Sequence, residues 1–100
     1  MTTWFISRHP GANDWARRKQ LAVDRFVTHL DVALVQPGDT VMGSLPVNLA
    51  AQVCAKGAAY WHLSVVLPLE RRGQELSADE LERLGAHLQL FHIVLKSEAS

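Results

Sequence analysis

Short apolar runs alternate along the chain with segments that have helical periodicity. The apolar runs predict strands at about 3–8, 24–30, 40–44, 60–67 and 90–95. Helices are predicted between them at about 10–20, at about 47–56 and from residue 77 onward. This alternation predicts an α/β fold of three layers, in which a mostly parallel sheet of about five strands is joined by right-handed crossovers.

Two of the predicted helices carry clear boundary signals. Pro46 suits the first turn of the second helix, and Gly57 is expected to end it. The third helix starts with a capping box, in which Ser77 caps the backbone near Glu80 and Glu80 reaches back. Its apolar stripe is expected to consist of Leu81, Leu84 and Leu88. A polar loop at 68–76 precedes it.

Composition limits the chain to one small domain and excludes some partners. Of its 100 residues 48% are apolar, so we expect a single core in residues 1–96 and a polar tail at 97–100. Ten basic residues balance ten acidic ones, so no long nucleic acid is held by bulk charge. An anionic partner must therefore be met by a local cluster. The one cysteine, Cys54, excludes a disulfide within the chain and fits a reducing compartment.

Several other functions lack sequence support. The start of the chain does not resemble a signal peptide and the apolar runs are too short to span a bilayer, so we expect a cytoplasmic protein with no membrane role. Nucleophile-elbow, Walker, dinucleotide and C-x-x-C motifs are absent. The five histidines show no ligand spacing, so no metal and no cofactor is expected. His62 is interpreted as a hydrogen-bonded core histidine, and His29 as a second, weaker candidate acid or base.

The junction between the first strand and the first helix has the chemistry of an anion site. Ser7, Arg8 and His9 follow the strand directly and precede a helix start at Pro10 and Gly11. Ligands of open α/β sheets bind outside the carboxyl ends of strands, where helix N-termini present free N–H groups. Arg8 offers a planar donor fork for phosphate, and His9 offers an imidazole, the side chain most often used for proton transfer. The pattern favours recognition of a phosphodiester. The alternative is structural, with Ser7 as a helix cap and Arg8 in a surface ion pair.

Two further groups are candidates for the same edge of the sheet. Ser44 and Asn48 flank the start of the second helix, where they either cap it or contact a ligand. The two helix starts are expected to lie side by side. Arg71 and Arg72 form either a solvated loop pair or a lid that closes over phosphates.

Six stretches of the chain together carry a resemblance to a known family: 1–12, 15–18, 23–27, 36–39, 43–46 and 75–81. With these stretches the chain resembles the Csx-sixteen family of small CRISPR-associated accessory proteins from type III systems. The resemblance covers about the first nine-tenths of the chain and is weakest in the final strand and the tail.

The resemblance implies a fold, a ligand and an activity. It implies a reduced relative of the CARF domain, a Rossmann-like homodimer that binds cyclic oligoadenylate second messengers. It also implies a ring nuclease, which cuts cyclic tetra-adenylate to linear di-adenylate with a 2′,3′-cyclic phosphate and so switches off the antiviral response. Two alternatives stay open: a sponge that binds the ring without cutting it, and a structural partner of a larger nuclease complex.

The hypothesis for the site uses the 2′-hydroxyl of the substrate as the nucleophile, without a metal. Arg8 would carry the phosphate charge, with help from backbone N–H groups near Gly11 and Ser44. His9 would be the acid or base. The side chains that would position or cover the ring are Ser7, Ser44, Asn48, Arg71 and Arg72.

Overall fold

A computed structural model describes residues 1–99, which form five strands and three helices. In chain order the elements are β1 (Thr3–Ile6), α1 (Pro10–Arg18), β2 (Arg25–Val27), β3 (Thr40–Gly43), α2 (Val47–Ala55), β4 (Ala59–Ser64), α3 (Ala78–Arg83) and β5 (His87–Phe91). Two short 3₁₀ turns lie at Val32–Leu34 and Leu69–Arg71. The predicted α/β fold is confirmed.

The five strands form one sheet in the order β2-β1-β3-β4-β5. The first four run parallel, and β5 runs antiparallel to β4 at the edge. Because β1 and β3 are neighbours in register, Ile6 pairs with Gly43 at their carboxyl ends. The chain segments that follow these two strands therefore begin side by side, whereas the helices α1 and α2 that come after them lie on opposite faces of the sheet. The predicted side-by-side placement of the two helix starts stays a prediction.

Helices cover both faces of the sheet, which gives the three layers of a Rossmann-like fold. Neighbouring strand residues point to opposite faces, so Trp4 packs with α2 and Phe5 packs with α1 and α3. On the α2 side Val53 and Tyr60 are fully buried, and on the other side Trp15 is buried between α1 and the sheet. Burying side chains of this size contributes about 1.5–3 kcal/mol each.

The end of the chain differs from the prediction. The last strand lies at His87–Phe91, whereas the sequence predicts it at 90–95. Leu88 belongs to this strand and not to the stripe of α3. The reason is Gly85, which has a φ of 76° and ends the helix in a Schellman motif: the N–H of Ala86 bonds the carbonyl of Leu81 at 2.9 Å. The capping box at Ser77 is confirmed.

The tight turn before β3 carries a buried carboxylate. Asp39 Oδ1 accepts a hydrogen bond from the N–H of Thr2 at 2.8 Å, and Oδ2 accepts from the N–H of Gln36 at 2.9 Å and from the indole of Trp4 at 3.2 Å. The backbone donors, Gln36 foremost, hold the pKa of Asp39 below its usual range. This network ties the start of β1 to the start of β3.

The segment beyond β5 still contacts the core, because Ile93 packs against the α2 cluster. Of the predicted tail at 97–100, Ser100 lies outside the described residues. None of the helices in the described part of the chain is long and apolar enough to cross a membrane.

Candidate functional site

A cleft of about 580 Å³ lies at the carboxyl ends of the parallel strands. Its volume falls within the range of about 300–1,000 Å³ that is typical of small-molecule sites. The loops after β1, β2, β3 and β4 line it, together with part of the loop before α3. This is the place where open α/β sheets bind their ligands.

The structure places Ser7, Arg8 and His9 together in the wall of the cleft. Ser7 is not the cap of α1: the residue before the helix is His9, and no side chain caps this end. The Ser7 hydroxyl instead accepts a hydrogen bond from the N–H of His9 at 3.0 Å. This short turn holds the backbone that presents Arg8 and His9 to the cleft.

The Arg8 guanidinium is exposed, and within the described residues it has no carboxylate at ion-pair distance. The surface ion pair considered from the sequence is therefore not formed. The cations at the end of α1 behave differently, since Arg18 pairs with Asp79 and Lys19 with Glu82 across the α1–α3 contact. Arg8 is thus a cation in the cleft wall with no carboxylate partner in the described part of the chain.

His9 has a partner that the sequence does not indicate. Its Nδ1 atom lies 3.1 Å from Oε1 of Glu75, in the loop before α3, and both side chains are largely exposed. A carboxylate accepts the Nδ1–H of a neutral imidazole, which leaves Nε2 as the free acceptor. The contact with Glu75 therefore fixes the orientation of an imidazole in the cleft wall.

Gly11 allows the loop before α3 to come close enough to α1 for Glu75 to contact His9. A Cβ atom at Gly11 would lie 1.8 Å from the carbonyl oxygen of Leu76, the residue after Glu75. Only glycine lets the first turn of α1 touch this backbone. The N–H of Gly11 makes no hydrogen bond within residues 1–99, so its predicted role toward a ligand stays a prediction.

Of the two residues flanking α2, only Ser44 reaches the cleft. It stands beside Ser7, because each follows a member of the Ile6–Gly43 pair. Its hydroxyl donates to the carbonyl of Leu63 at 3.0 Å. Asn48 is exposed on the first turn of α2, outside the cleft lining, and does not cap the helix.

The loop at 68–76, which we term the cover loop, borders the cleft through Gly73 and Gln74. The side chains of Arg71 and Arg72 do not line it. Arg71 forms an ion pair with Glu80, the capping-box residue of α3. Its Nε also donates a hydrogen bond to the side chain of Gln74 at 2.9 Å. Arg72 is exposed. A lid role for either arginine would require this arrangement to change.

Two further histidines lie near the carboxyl ends of strands. His29 also lines the cleft, in the loop after β2. His62 is half-buried in β4 and hydrogen-bonded, as predicted, with Nδ1 2.7 Å from the hydroxyl of Tyr60. Within residues 1–99, no group of three or more histidine, cysteine, aspartate or glutamate side chains is placed to hold a metal ion.

Fold and cleft define a small three-layer α/β protein with a cleft at the carboxyl edge of its sheet, and Arg8 lies in the wall of that cleft. Residues 4–94 match the family described as "Putative CRISPR-associated protein (Cas_VVA1548)". The chain belongs to this family of CRISPR-associated proteins. Comparison with curated proteins and with solved structures gives no match.

Proposed function

We propose that this CRISPR-associated protein is a ring nuclease that binds cyclic tetra-adenylate and cleaves it to linear di-adenylate with a 2′,3′-cyclic phosphate, which switches off type III signalling. One observation carries the proposal. An unpaired arginine, Arg8, and a carboxylate-oriented imidazole, His9, stand on consecutive positions in the wall of the same cleft. A cation beside an oriented base is what phosphodiester cleavage needs.

The ligand fits the charge distribution of the chain. Cyclic tetra-adenylate is a compact anion, so it needs local donors and not a broadly basic surface. The net charge of zero is therefore no obstacle. Arg8 and the N–H of Gly11, which makes no hydrogen bond within residues 1–99, supply such donors at one edge of the sheet.

The proposed chemistry is an in-line transesterification. The ribose 2′-oxygen forms a bond to the adjacent phosphorus while the bond from phosphorus to O5′ breaks. Nε2 of His9 accepts the proton of the 2′-hydroxyl, and the leaving O5′ takes a proton from water. The hydroxide that this leaves is neutralised by the proton that His9 returns to solvent. Arg8 stabilises the charge that gathers on the phosphate oxygens. Because the substrate brings its own nucleophile, the protein contributes positioning, electrostatics and proton transfer.

We further propose that the active form is a homodimer with the ring across its two-fold axis. The chain has a radius of gyration of 14.0 Å, so one sheet edge encloses only part of so broad a ligand. Two copies would present two sets of Arg8 and His9 to a symmetric ring.

Incubation of the purified protein with cyclic tetra-adenylate, together with a binding measurement, tests the proposal. The expected products are linear di-adenylates ending in a cyclic phosphate, separated by chromatography. Cleavage should persist in excess chelator. Loss of cleavage in chelator with recovery on adding metal would overturn the metal-free scheme. Recovery of intact, bound ring would instead identify a sponge, and absence of binding would exclude both.

A further inference from the structure

A second, smaller groove opens beside the cleft on the α2 face of the sheet. It measures about 220 Å³ and is lined by Leu45, Val47, Tyr60, His62, Phe91 and Ile93. Leu45 lines both the groove and the cleft, so the two adjoin at this residue. The groove is smaller than sites that enclose a whole ligand, about 300–1,000 Å³. It suits one flat group of a larger molecule.

The hydrogen bonds of Tyr60 determine how the imidazole of His62 is protonated. The Tyr60 hydroxyl accepts from the N–H of Leu45 at 2.9 Å, lies 3.2 Å from the carbonyl of Gly43 and lies 2.7 Å from Nδ1 of His62. A hydroxyl has one hydrogen and two acceptor positions. All three contacts are hydrogen bonds only if the hydroxyl donates to Gly43 and accepts Nδ1–H from His62. Burial raises the pKa of Tyr60, so the hydroxyl keeps its hydrogen at neutral pH.

This arrangement leaves Nε2 of His62 as an acceptor with no partner within residues 1–99. The remaining lining is mostly apolar, and the ring of Phe91 stands at 88° to the imidazole with the ring centres 5.9 Å apart. The groove thus combines an aromatic wall with one hydrogen-bond acceptor. A flat, unsaturated group with an N–H donor satisfies both.

We propose that this groove is a nucleobase subsite, in which an exocyclic amino group donates to Nε2 of His62 while the base packs on Phe91. Its identification as an adenine subsite rests on the proposed function, because the adjoining cleft would then hold the phosphodiester of the same ring.

The test uses adenosine, which has a base but no phosphate, and the NMR signal of the His62 Cε1–H group. Adenosine at millimolar concentration is expected to shift this signal in wild type. The variant Val47→Trp fills the groove and should abolish the shift; Val47 is 69% exposed, so the fold should tolerate the change. Val66→Trp is the matched control, because Val66 is 76% exposed and lies outside the groove.

Binding of cyclic tetra-adenylate provides the second measurement. Val47→Trp is expected to weaken it at least tenfold, and Val66→Trp to leave it unchanged. An unshifted His62 signal, or equal shifts in Val47→Trp and wild type, would overturn the subsite even if the ring is cleaved. If adenosine shifts the His62 signal but the protein does not bind cyclic tetra-adenylate, the proposed function is wrong and the nucleobase subsite stands.

Discussion

Nδ1 of His9 lies 3.1 Å from Oε1 of Glu75, although 66 positions separate them in the chain. The contact follows from the packing of α1 against α3 on one face of the sheet. Polar links along the two helices support this packing, among them the indole of Trp15, which donates to Glu82 at 2.8 Å. The loop before α3 is thereby brought to the start of α1, where it meets His9.

This relationship predicts separate effects for the two residues. His9→Ala removes the proposed base and should slow ring cleavage by about 10²–10⁴-fold with little change in binding. Glu75→Gln keeps the base but orients it less well, so we expect a loss of about 10- to 100-fold, as for outer-shell partners of metal-bound histidines. Single-turnover cleavage of cyclic tetra-adenylate measures both effects.

The control is Glu70→Gln, which removes an exposed carboxylate of the cover loop. Equal rates for the two glutamine variants would contradict a role for Glu75.

Arg8 is predicted to contribute to both binding and turnover through its charge. A hydrogen bond to a charged group is worth about 1.5–3 kcal/mol, so Arg8→Ala should weaken ring binding by about 10- to 150-fold. The salt dependence of binding should fall as well, because one cation no longer meets the phosphates. Titration calorimetry at two salt concentrations measures both effects. Arg83→Ala removes an exposed arginine at the end of α3 and should change neither. Wild-type affinity in Arg8→Ala would refute the proposed phosphate contact.

Gly11→Ala is predicted to disturb both stability and the site. The added Cβ would meet the carbonyl of Leu76 at 1.8 Å, and relief of such overpacking costs about 1–3 kcal/mol. The displaced loop would also carry Glu75 away from His9. Urea unfolding measures the loss of stability, and single-turnover cleavage measures the effect on the site.

Gly85→Ala serves as a contrast, since the φ of 76° at Gly85 is strained for alanine while the space around it is open. Gly85→Ala should therefore lower stability and leave cleavage unchanged. Wild-type stability and rate in Gly11→Ala would contradict this account.

Local patterns were sufficient to predict most of the fold. Each parallel strand is a short apolar run followed by a helix or turn signal, so the order of elements and the layers follow from the sequence. The last strand was misplaced because Leu81, Leu84 and Leu88 satisfy helical spacing even though the helix ends at Arg83. Gly85 was the signal for the earlier end. The antiparallel direction of β5 follows from the short connection that this ending leaves.

The sequence predicts only the part of the site that is formed by residues adjacent in the chain. Ser7, Arg8 and His9 could be placed in a cleft because a strand end directly before a helix start has a known position in such sheets. Glu75 could not be placed in the site from the sequence, because its position depends on the packing of α1 against α3. Arg71 shows the converse: its position in a loop suggested a lid, but its ion pair with Glu80 is a tertiary contact that spacing alone does not reveal.

Asp39 predicts how the stability of the fold depends on pH. Its pKa is lowered in the folded chain, chiefly by the N–H of Gln36, from an ordinary value of 3.8. The carboxylate therefore stabilises the fold fully above about pH 4, and its contribution is lost as the pH falls through the folded-state value. The pKa values of Asp79 and Glu82 are also lowered, by Arg18 and Lys19 respectively, so part of the acid sensitivity is independent of Asp39. Denaturant unfolding between pH 7 and pH 3 should show a falling midpoint.

Asp39→Asn separates the contribution of this carboxylate from the rest. An amide in place of the carboxylate offers one acceptor oxygen to the donors of Thr2, Trp4 and Gln36, so the variant should be less stable at pH 7. Its midpoint should fall less steeply on acidification than that of wild type. Asp14→Asn, which removes an exposed carboxylate, should follow the wild-type curve, because surface pairs contribute little. If Asp39→Asn and wild type lost stability in parallel below pH 5, the hydrogen bonds of Asp39 that link β1 to β3 would not be a source of the acid sensitivity.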